Sequence, residues 1–177
     1  MNSVFPCCRV SIAPFLPEHY ARLPLRPEDA ADLSDIPAQR LVSGWEGGNT
    51  VFVGDRPAFI YGIVLEEGVG LLWAVTSPLT ERLALLITRL GRVHVQALLD
   101  AGAHRVEAYC HKDNRRSLRW LTRCLGFSVE GLMRRCGPNG QDRFLLSLLP
   151  GEWRYGASAA RNRRILEKLA KTKKERH

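Results

Sequence analysis

The chain has 177 residues, of which 45% are hydrophobic, and a net charge of +8 at pH 7. This size and apolar content suit a single domain with one core. No apolar run reaches the about 18 residues that a membrane-spanning helix needs, which excludes a helical membrane protein. The N-terminal stretch MNSVFPCCRVSIAPF lacks the basic and apolar regions of a signal peptide, so the sequence predicts an intracellular protein.

The cysteines and histidines predict neither disulfides nor a metal site. There are five of each, and the cysteines include no CxxC pair. The histidines show no ligand spacing such as HExxH. The cysteines, at positions 7, 8, 110, 124 and 136, are therefore interpreted as small buried hydrophobes and spare thiols.

The positive charge is concentrated at the C-terminus. Residues 151–177 hold nine of the 26 Lys and Arg side chains against three Glu, and therefore six of the eight net charges. The sequence accordingly predicts a nearly neutral domain over residues 1–150 and a basic, helical arm over residues 151–177.

In several stretches of the first half of the chain, apolar residues alternate with other residues, as they do in β-strands. RVSIAPF predicts a first strand, and two helices are expected to begin near Pro17 and Pro27, each with acidic residues in its first turn. Three strand-like runs, TVFVG, AFIYGIVLEE and GLLWAVTS, follow with the turns GDRP and EGVG between them. Short turns between such runs predict an antiparallel meander.

The second half begins with helical periodicity. It predicts a long helix with Ser77 as N-cap, Pro78 in the first turn and Gly102 at the end. The strand HRVEAYCH, the helix NRRSLRWLTRCLG and a hairpin with the turn GPNG follow. The predicted order is β-α-α-β-β-β-α-β-α-β-β, an α/β (α+β) fold with a mixed sheet and helices on both faces.

This order, together with DNRRSLRWLTRCLGFSVEG, resembles the GNAT superfamily of acyl-CoA N-acyltransferases from about residue 50 to residue 149. Members of that family often carry an Asn after the fifth strand, then a helix, a Gly-Phe pair, an acidic residue and a Gly. The matching residues here are Asn114, Ser117, Gly126, Phe127, Glu130 and Gly131.

The resemblance implies acetyl-CoA as cofactor, no metal, and a binding site where the fourth and fifth strands separate. Backbone groups of the fourth strand would follow the pantetheine arm, and Asn114 would hydrogen-bond it. Helix capping alone also explains Asn114. The implied cofactor-binding residues are Trp73, Ala74, Val75, Arg82, Asn114, Ser117, Leu118 and Leu121.

The turn before the long helix departs from the family pattern. A Gly-rich turn usually stands there, because converging backbone N–H groups bind the diphosphate. Here the turn is TSPLTERLAL, in which Pro78 lacks an N–H and Glu81 adds negative charge. Arg82 is the only compensation, so this turn argues against tight CoA binding by the usual mode.

The general acid also departs from the pattern. Leu121 replaces the family's Tyr, and the interval from Asn114 to Gly126 is one residue longer than usual. The candidate substitutes lie at the end of the fifth strand: Tyr109, Cys110 and His111. Neighbours on a strand face opposite sides, so a Cys-His dyad is not expected. Glu66 or Glu67 is a further candidate base, although a solvated turn also explains them.

A narrower resemblance covers about residues 50–135. LLWAVTSPLTERLALLITRLGR and DNRRSLRWLTRCLGF are similar to the acetyltransferase-like proteins of tailed-phage (podovirus-type) structural gene clusters. That resemblance implies a role in virion assembly or as a virion component, in the host-cell cytoplasm or the virion. It also implies protein partners, either virion or assembly proteins or further copies of the same chain.

Three functions and three roles of the basic arm stay open. The chain is a catalytically degenerate GNAT-like phage protein, an active acetyl-CoA-dependent N-acetyltransferase with a divergent cofactor loop, or a nucleic-acid-binding protein. The arm is a solvated helix, a docking segment or a nucleic-acid contact. Its contact residues are predicted to be Arg163, Arg164, Ile165, Leu166, Leu169, Lys171, Lys173 and Lys174.

Overall fold

The computed structural model describes residues 10–33 and 47–156. The strands are β1 (Val10–Pro14), β2 (Asn49–Val53), β3 (Arg56–Glu66), β4 (Val69–Thr76), β5 (Arg105–His111), β6 (Ser128–Met133) and β7 (Arg143–Leu148). The α-helices are α1 (Pro17–Ala21), α2 (Pro27–Leu33), α3 (Ala84–Asp100) and α4 (Arg115–Arg119). The predicted α/β class and element order are confirmed.

The seven strands form one mixed sheet in the order β1-β2-β3-β4-β5-β7-β6. The predicted meander is present, since β1 to β4 are antiparallel neighbours. Helix α3 is the crossover that places β5 parallel to β4. In the closing hairpin β7 takes the inner position because it is the more apolar strand, with Leu146 and Leu148 fully buried, whereas β6 is mostly exposed.

Helices cover both faces of the sheet, and the side chains of β3 show how. Phe59 and Tyr61 pack with α3 residues such as Leu90. Ile60, which lies between them, packs on the opposite face with Leu23 from the segment after α1. This alternation is the period of two that a strand with two buried faces requires.

The start of the long helix differs from the prediction, because Ser77 is not its N-cap. Residues Pro78–Leu83 form a 3₁₀ helix, and α3 begins only at Ala84 without a side-chain cap. The Ser77 hydroxyl instead donates to the carbonyl of Ala58 on β3 at 2.9 Å, and the Thr80 hydroxyl donates to the same carbonyl at 3.0 Å. These bonds hold the turn on β3. The predicted stop at Gly102 is confirmed, with φ +93°.

The predicted helix NRRSLRWLTRCLG contains an extra residue. Helix α4 has five residues and continues as a π-helical turn over Trp120–Leu125, which ends at Gly126 with φ +82°. A π turn holds one residue more than an α turn. It therefore accounts for the long interval from Asn114 to Gly126 while Leu121 and Leu125 both stay buried.

The described part of the chain ends against α3. The indole nitrogen of Trp153 donates to Gln96 at 2.8 Å, and the Arg92 guanidinium lies 3.9 Å from the centre of the Tyr155 ring. The predicted arm residues from Arg163 to Lys174 lie outside the described residues. Within those residues, no helix combines the length and apolarity needed to cross a membrane, and no three His, Cys, Asp or Glu side chains are grouped as metal ligands.

Candidate functional site

The main feature of the sheet is a gap between β4 and β5. The two strands pair only over Val69–Leu71 and Arg105–Glu107. Beyond these residues β4 runs on to Thr76 and β5 to His111 without further pairing between them. A cavity of about 660 Å³ occupies the gap. The β4 backbone along this stretch therefore faces a cavity instead of a neighbouring strand, and its polar groups can serve a ligand.

The cavity is lined from both faces of the sheet. On the α3 and α4 side its wall includes Ala74, Ile87 and Leu121. On the α1 and α2 side its wall includes Asp29 and Tyr109. Two reactants can therefore meet in the gap from opposite faces, which is the arrangement that a group transfer between two substrates needs.

Trp73 does not close the gap. Its indole lies over Gly62 of β3, in the space that a Cβ at Gly62 would need. It packs there with Ile60 and Val75 on the α1 and α2 side. The next residue, Ala74, is exposed to the cavity and has only a methyl group, so the gap stays open.

Asn114 caps its helix and also lines the cavity. Its side-chain oxygen accepts the backbone N–H of Ser117 at 3.0 Å, which caps α4. Its amide nitrogen faces the cavity and donates to Asp29 at 3.4 Å. The cap therefore uses the side-chain oxygen and leaves the amide nitrogen to Asp29, with which a molecule in the gap would compete.

Asp29 is a cavity residue that sequence reasoning did not place there. One carboxylate oxygen accepts the N–H of Thr76 at 3.0 Å and also the Thr76 hydroxyl, and the other accepts from Asn114. Asp29 thus connects α2 to both sides of the gap, and Arg26 strengthens the connection by donating to the Ser77 carbonyl at 3.0 Å. The sequence signal was only an acidic residue in a first helical turn, which does not reveal where the helix docks.

Burial raises the pKa of Asp29, against the hydrogen bonds from Thr76 and the charge of Arg26. A raised folded-state pKa means that the folded protein holds the proton more tightly than the unfolded chain. The free energy of unfolding should therefore fall as pH rises from the unfolded pKa of 3.8 through the folded value. We expect Asp29→Asn to flatten this slope, as measured by urea unfolding from pH 4 to 7; a slope identical to that of the parent would assign it to other groups.

The turn that precedes α3 has little to offer a diphosphate. The N–H of Ser77 bonds to Ala58, that of Thr80 bonds to Ser77, and Pro78 has none. Glu81 forms an exposed ion pair with Arg116 of α4, which spans the mouth of the gap. The hydrogen bond from Arg116 lowers the pKa of Glu81, so this carboxylate stays ionised. The side chain of Arg82 lies outside the described part of the structure.

Of the remaining predicted residues, three line the cavity and one packs against the core. Ser117, Val75 and Leu121 line the cavity, whereas Leu118 packs against the core and is not among the lining residues. Glu66 and Glu67 lie at the turn that begins β4, at the opposite end from Thr76.

The proposed substitutes for the general acid all line the cavity, on different faces. Cys110 is buried on the α3 and α4 side, and its thiol contacts the Asn114 carbonyl at 3.5 Å. Tyr109 and His111 lie on the other side, as strand alternation requires. The Tyr109 hydroxyl donates to Glu107 at 3.0 Å. Burial, with the bond to Glu107, raises the pKa of Tyr109, so the phenol keeps its proton at neutral pH.

The comparisons with known proteins agree with this geometry. Neither a protein-family model nor a curated protein matches the sequence. Solved structures match over most of their length. Ard1 from Thermoplasma volcanium is 11% identical with a TM-score of 0.63, over 80% of this chain and 97% of that one. A GNAT-family acetyltransferase from Bacillus anthracis is 16% identical with a TM-score of 0.58, over 83% and 98%.

A Bacillus subtilis acetyltransferase solved in complex with CoA is 14% identical with a TM-score of 0.57, over 80% of this chain and 97% of that one. Identities this low establish a shared architecture. The strand order, the separation of β4 and β5 and these structural matches together show that the chain has the fold of the GNAT acetyltransferases.

Proposed function

We propose that the chain is an N-acyltransferase that holds an acyl-pantetheine thioester, such as acetyl-CoA, in the gap between β4 and β5. The observation that supports this is the open cavity along the unpaired part of β4. A pantetheine arm is narrow and carries two amides, which match a strand edge that has backbone N–H and C=O groups to spare. The small side chain of Ala74 leaves room for it.

The chemistry needs an amine on the other side of the gap. Its nitrogen attacks the thioester carbonyl, the C–N bond forms, the C–S bond breaks, and the sulfur leaves as a thiolate that takes up a proton. Tyr109, a protonated hydroxyl on that wall, can donate the proton that the thiolate takes up, and Asp29 is a carboxylate that can receive the amine proton. Its raised pKa brings Asp29 closer to the range of an effective general base.

The test is isothermal titration of the protein with acetyl-CoA at low salt, together with variants of Asn114. Asn114→Ala should bind roughly 3- to 10-fold more weakly, the value of about one hydrogen bond. It should also lose about 1 kcal/mol of stability because the cap is gone.

Asn114→Ser separates these two effects. A serine hydroxyl still caps the helix, so we expect parent-like stability with weakened binding. If Asn114→Ser binds acetyl-CoA as tightly as the parent, Asn114 does not contact the cofactor. If the parent gives no heat with any acetyl-pantetheine thioester, acetyl-CoA included, the proposed function is wrong.

A second candidate is favoured by the turn that precedes α3. Its hydroxyl groups are bonded to β3, Glu81 brings a negative charge, and Leu121 replaces the family's Tyr. A catalytically degenerate protein that acts through protein contacts, as the resemblance to tailed-phage proteins implies, fits these features. It predicts stoichiometric co-purification with assembled particles. The protein partners and the nucleic-acid contact assigned to the basic arm are part of this second candidate.

A further inference from the structure

The turn at the mouth of the gap is poorly suited to the diphosphate of CoA, which lies beyond the pantetheine arm. A diphosphate binds best where several N–H groups converge. The N–H groups of Ser77 and Thr80 are already bonded within the protein, and Glu81 faces the cavity mouth. Its charge is balanced by Arg116. A nucleotide that bound Arg116 would therefore compete with Glu81 for that side chain.

A stripe of arginines lies on the helix whose Arg116 and Ser117 line the cavity. Arg115, Arg119 and Arg123, called the arginine stripe below, follow one another at four-residue intervals along α4 and the π turn, and all three are exposed. Like charges at this spacing destabilise a helix. None of the three forms an ion pair with a carboxylate in residues 10–33 and 47–156. The stripe is therefore a cationic surface open to a negatively charged partner.

The stripe begins where the cavity begins. Asn114 caps the helix that carries the stripe, and both Asn114 and Ser117 line the cavity. A partner that rested on the stripe would therefore have the open gap beside it. A flexible arm attached to that partner could enter the gap without passing over a nucleotide-binding surface.

We propose that the physiological thioester is presented by an acidic acyl carrier protein, whose phosphopantetheine arm enters the gap while its negative surface docks on the arginine stripe. This inference rests on the proposed function. Such a carrier delivers the same arm as CoA with a single phosphodiester and no adenosine phosphates. Opposite charges on the two surfaces provide the specificity and speed the encounter. The acyl group passes from the carrier's sulfur to the amine nitrogen, and the carrier leaves as the free thiol.

The test compares three donors of the same acetyl group by isothermal titration: acetyl-pantetheine, acetyl-CoA and a bacterial acyl carrier protein loaded with acetyl-phosphopantetheine. We expect the loaded carrier to bind at least about tenfold more tightly than acetyl-CoA at low salt, and to lose that advantage at high salt because the attraction is screened. Acetyl-pantetheine should bind weakly and without salt dependence.

Two double variants of equal charge change complete the test. Arg115→Glu/Arg119→Glu should weaken binding of the loaded carrier about tenfold and leave acetyl-pantetheine unchanged. Arg56→Glu/Arg134→Glu, at exposed positions outside the stripe, should leave both unchanged. Acetyl-CoA binding that equals or exceeds carrier binding would overturn the inference while the proposed function stands. Equal losses in the two double variants would also overturn it. If none of the three donors gives heat, the proposed function is wrong as well.

Discussion

Ala74→Leu is expected to weaken the binding of acetyl-CoA and of acetyl-pantetheine without unfolding the protein. The added side chain would project into the gap, where Ala74 is exposed and lines the cavity. Steric conflict of this kind costs about 1–3 kcal/mol in a packed site, which corresponds to roughly 5- to 150-fold in the dissociation constant. Isothermal titration measures the loss.

The matched control for that variant is Ala101→Leu. Ala101 is exposed at the end of α3 and does not line the cavity, so the same change in size should leave binding intact. Both variants should unfold at the parent's temperature, because neither added side chain enters the core. Parent-like binding by Ala74→Leu would place the pantetheine arm elsewhere and remove the main support for the proposed function.

Leu125→Ala is expected to be the most destabilising of these changes. Leu125 is fully buried in the core between α3, the π turn and the sheet. Its truncation should cost about 2–5 kcal/mol. At roughly 2–4 °C for each kcal/mol in a chain of this size, the melting temperature should fall by several degrees or more. Thermal unfolding followed by circular dichroism measures the change.

Gly91 supplies an internal check on that result. A Cβ at Gly91 would lie 3.0 Å from one methyl group of Leu125 and 3.1 Å from the Trp120 ring, closer than ordinary contact. In the parent, Gly91→Ala should therefore gain about 1 kcal/mol from the higher helix propensity of alanine, and steric conflict with Leu125 and Trp120 should offset this gain. In Leu125→Ala the pressure from Leu125 is gone, so the same methyl group should fill part of the void. The double variant should be more stable than the added effects of the two single variants predict. If the two effects are strictly additive, α3 and the π turn are not in the contact described.

The order of elements could be predicted from the sequence because each element has its own period or stop signal. The alternation within β3 and the helical spacing within α3 are local properties, and Gly102 marks a helix end by its free access to positive φ. The hairpin could also be predicted, because GPNG is a typical turn sequence. In the structure this turn, Gly137 to Gly140, closes with a hydrogen bond of 2.8 Å. These signals do not depend on what packs against them.

The prediction was wrong or incomplete where tertiary contacts determine the local structure. Ser77 has the right residue type for an N-cap, but the carbonyl of Ala58 lies close enough to take its hydroxyl, and the chain forms a 3₁₀ helix instead. The extra residue before Gly126 was visible in the sequence, whereas its accommodation as a π turn was not. Asp29 could not be assigned to the cavity, because no local pattern reports that α2 packs on the ends of β4 and β5.

The two walls of the gap are fastened in different ways. The Ala58 carbonyl accepts from the backbone and the hydroxyl of Ser77 and from Thr80, so the end of β4 is held by the sheet itself. Helix α2 is held to the same strand end through the side chains of Arg26 and Asp29, and the backbone N–H of Arg26 also donates to the Thr76 carbonyl at 3.3 Å. A ligand with its own donors and acceptors can replace these side-chain bonds one for one, but not the bonds to Ala58. A molecule in the gap that took over the side-chain bonds would therefore still find α2 joined to β4 by the Arg26 backbone bond and by the packing of Leu33 against Ile60 and Val75.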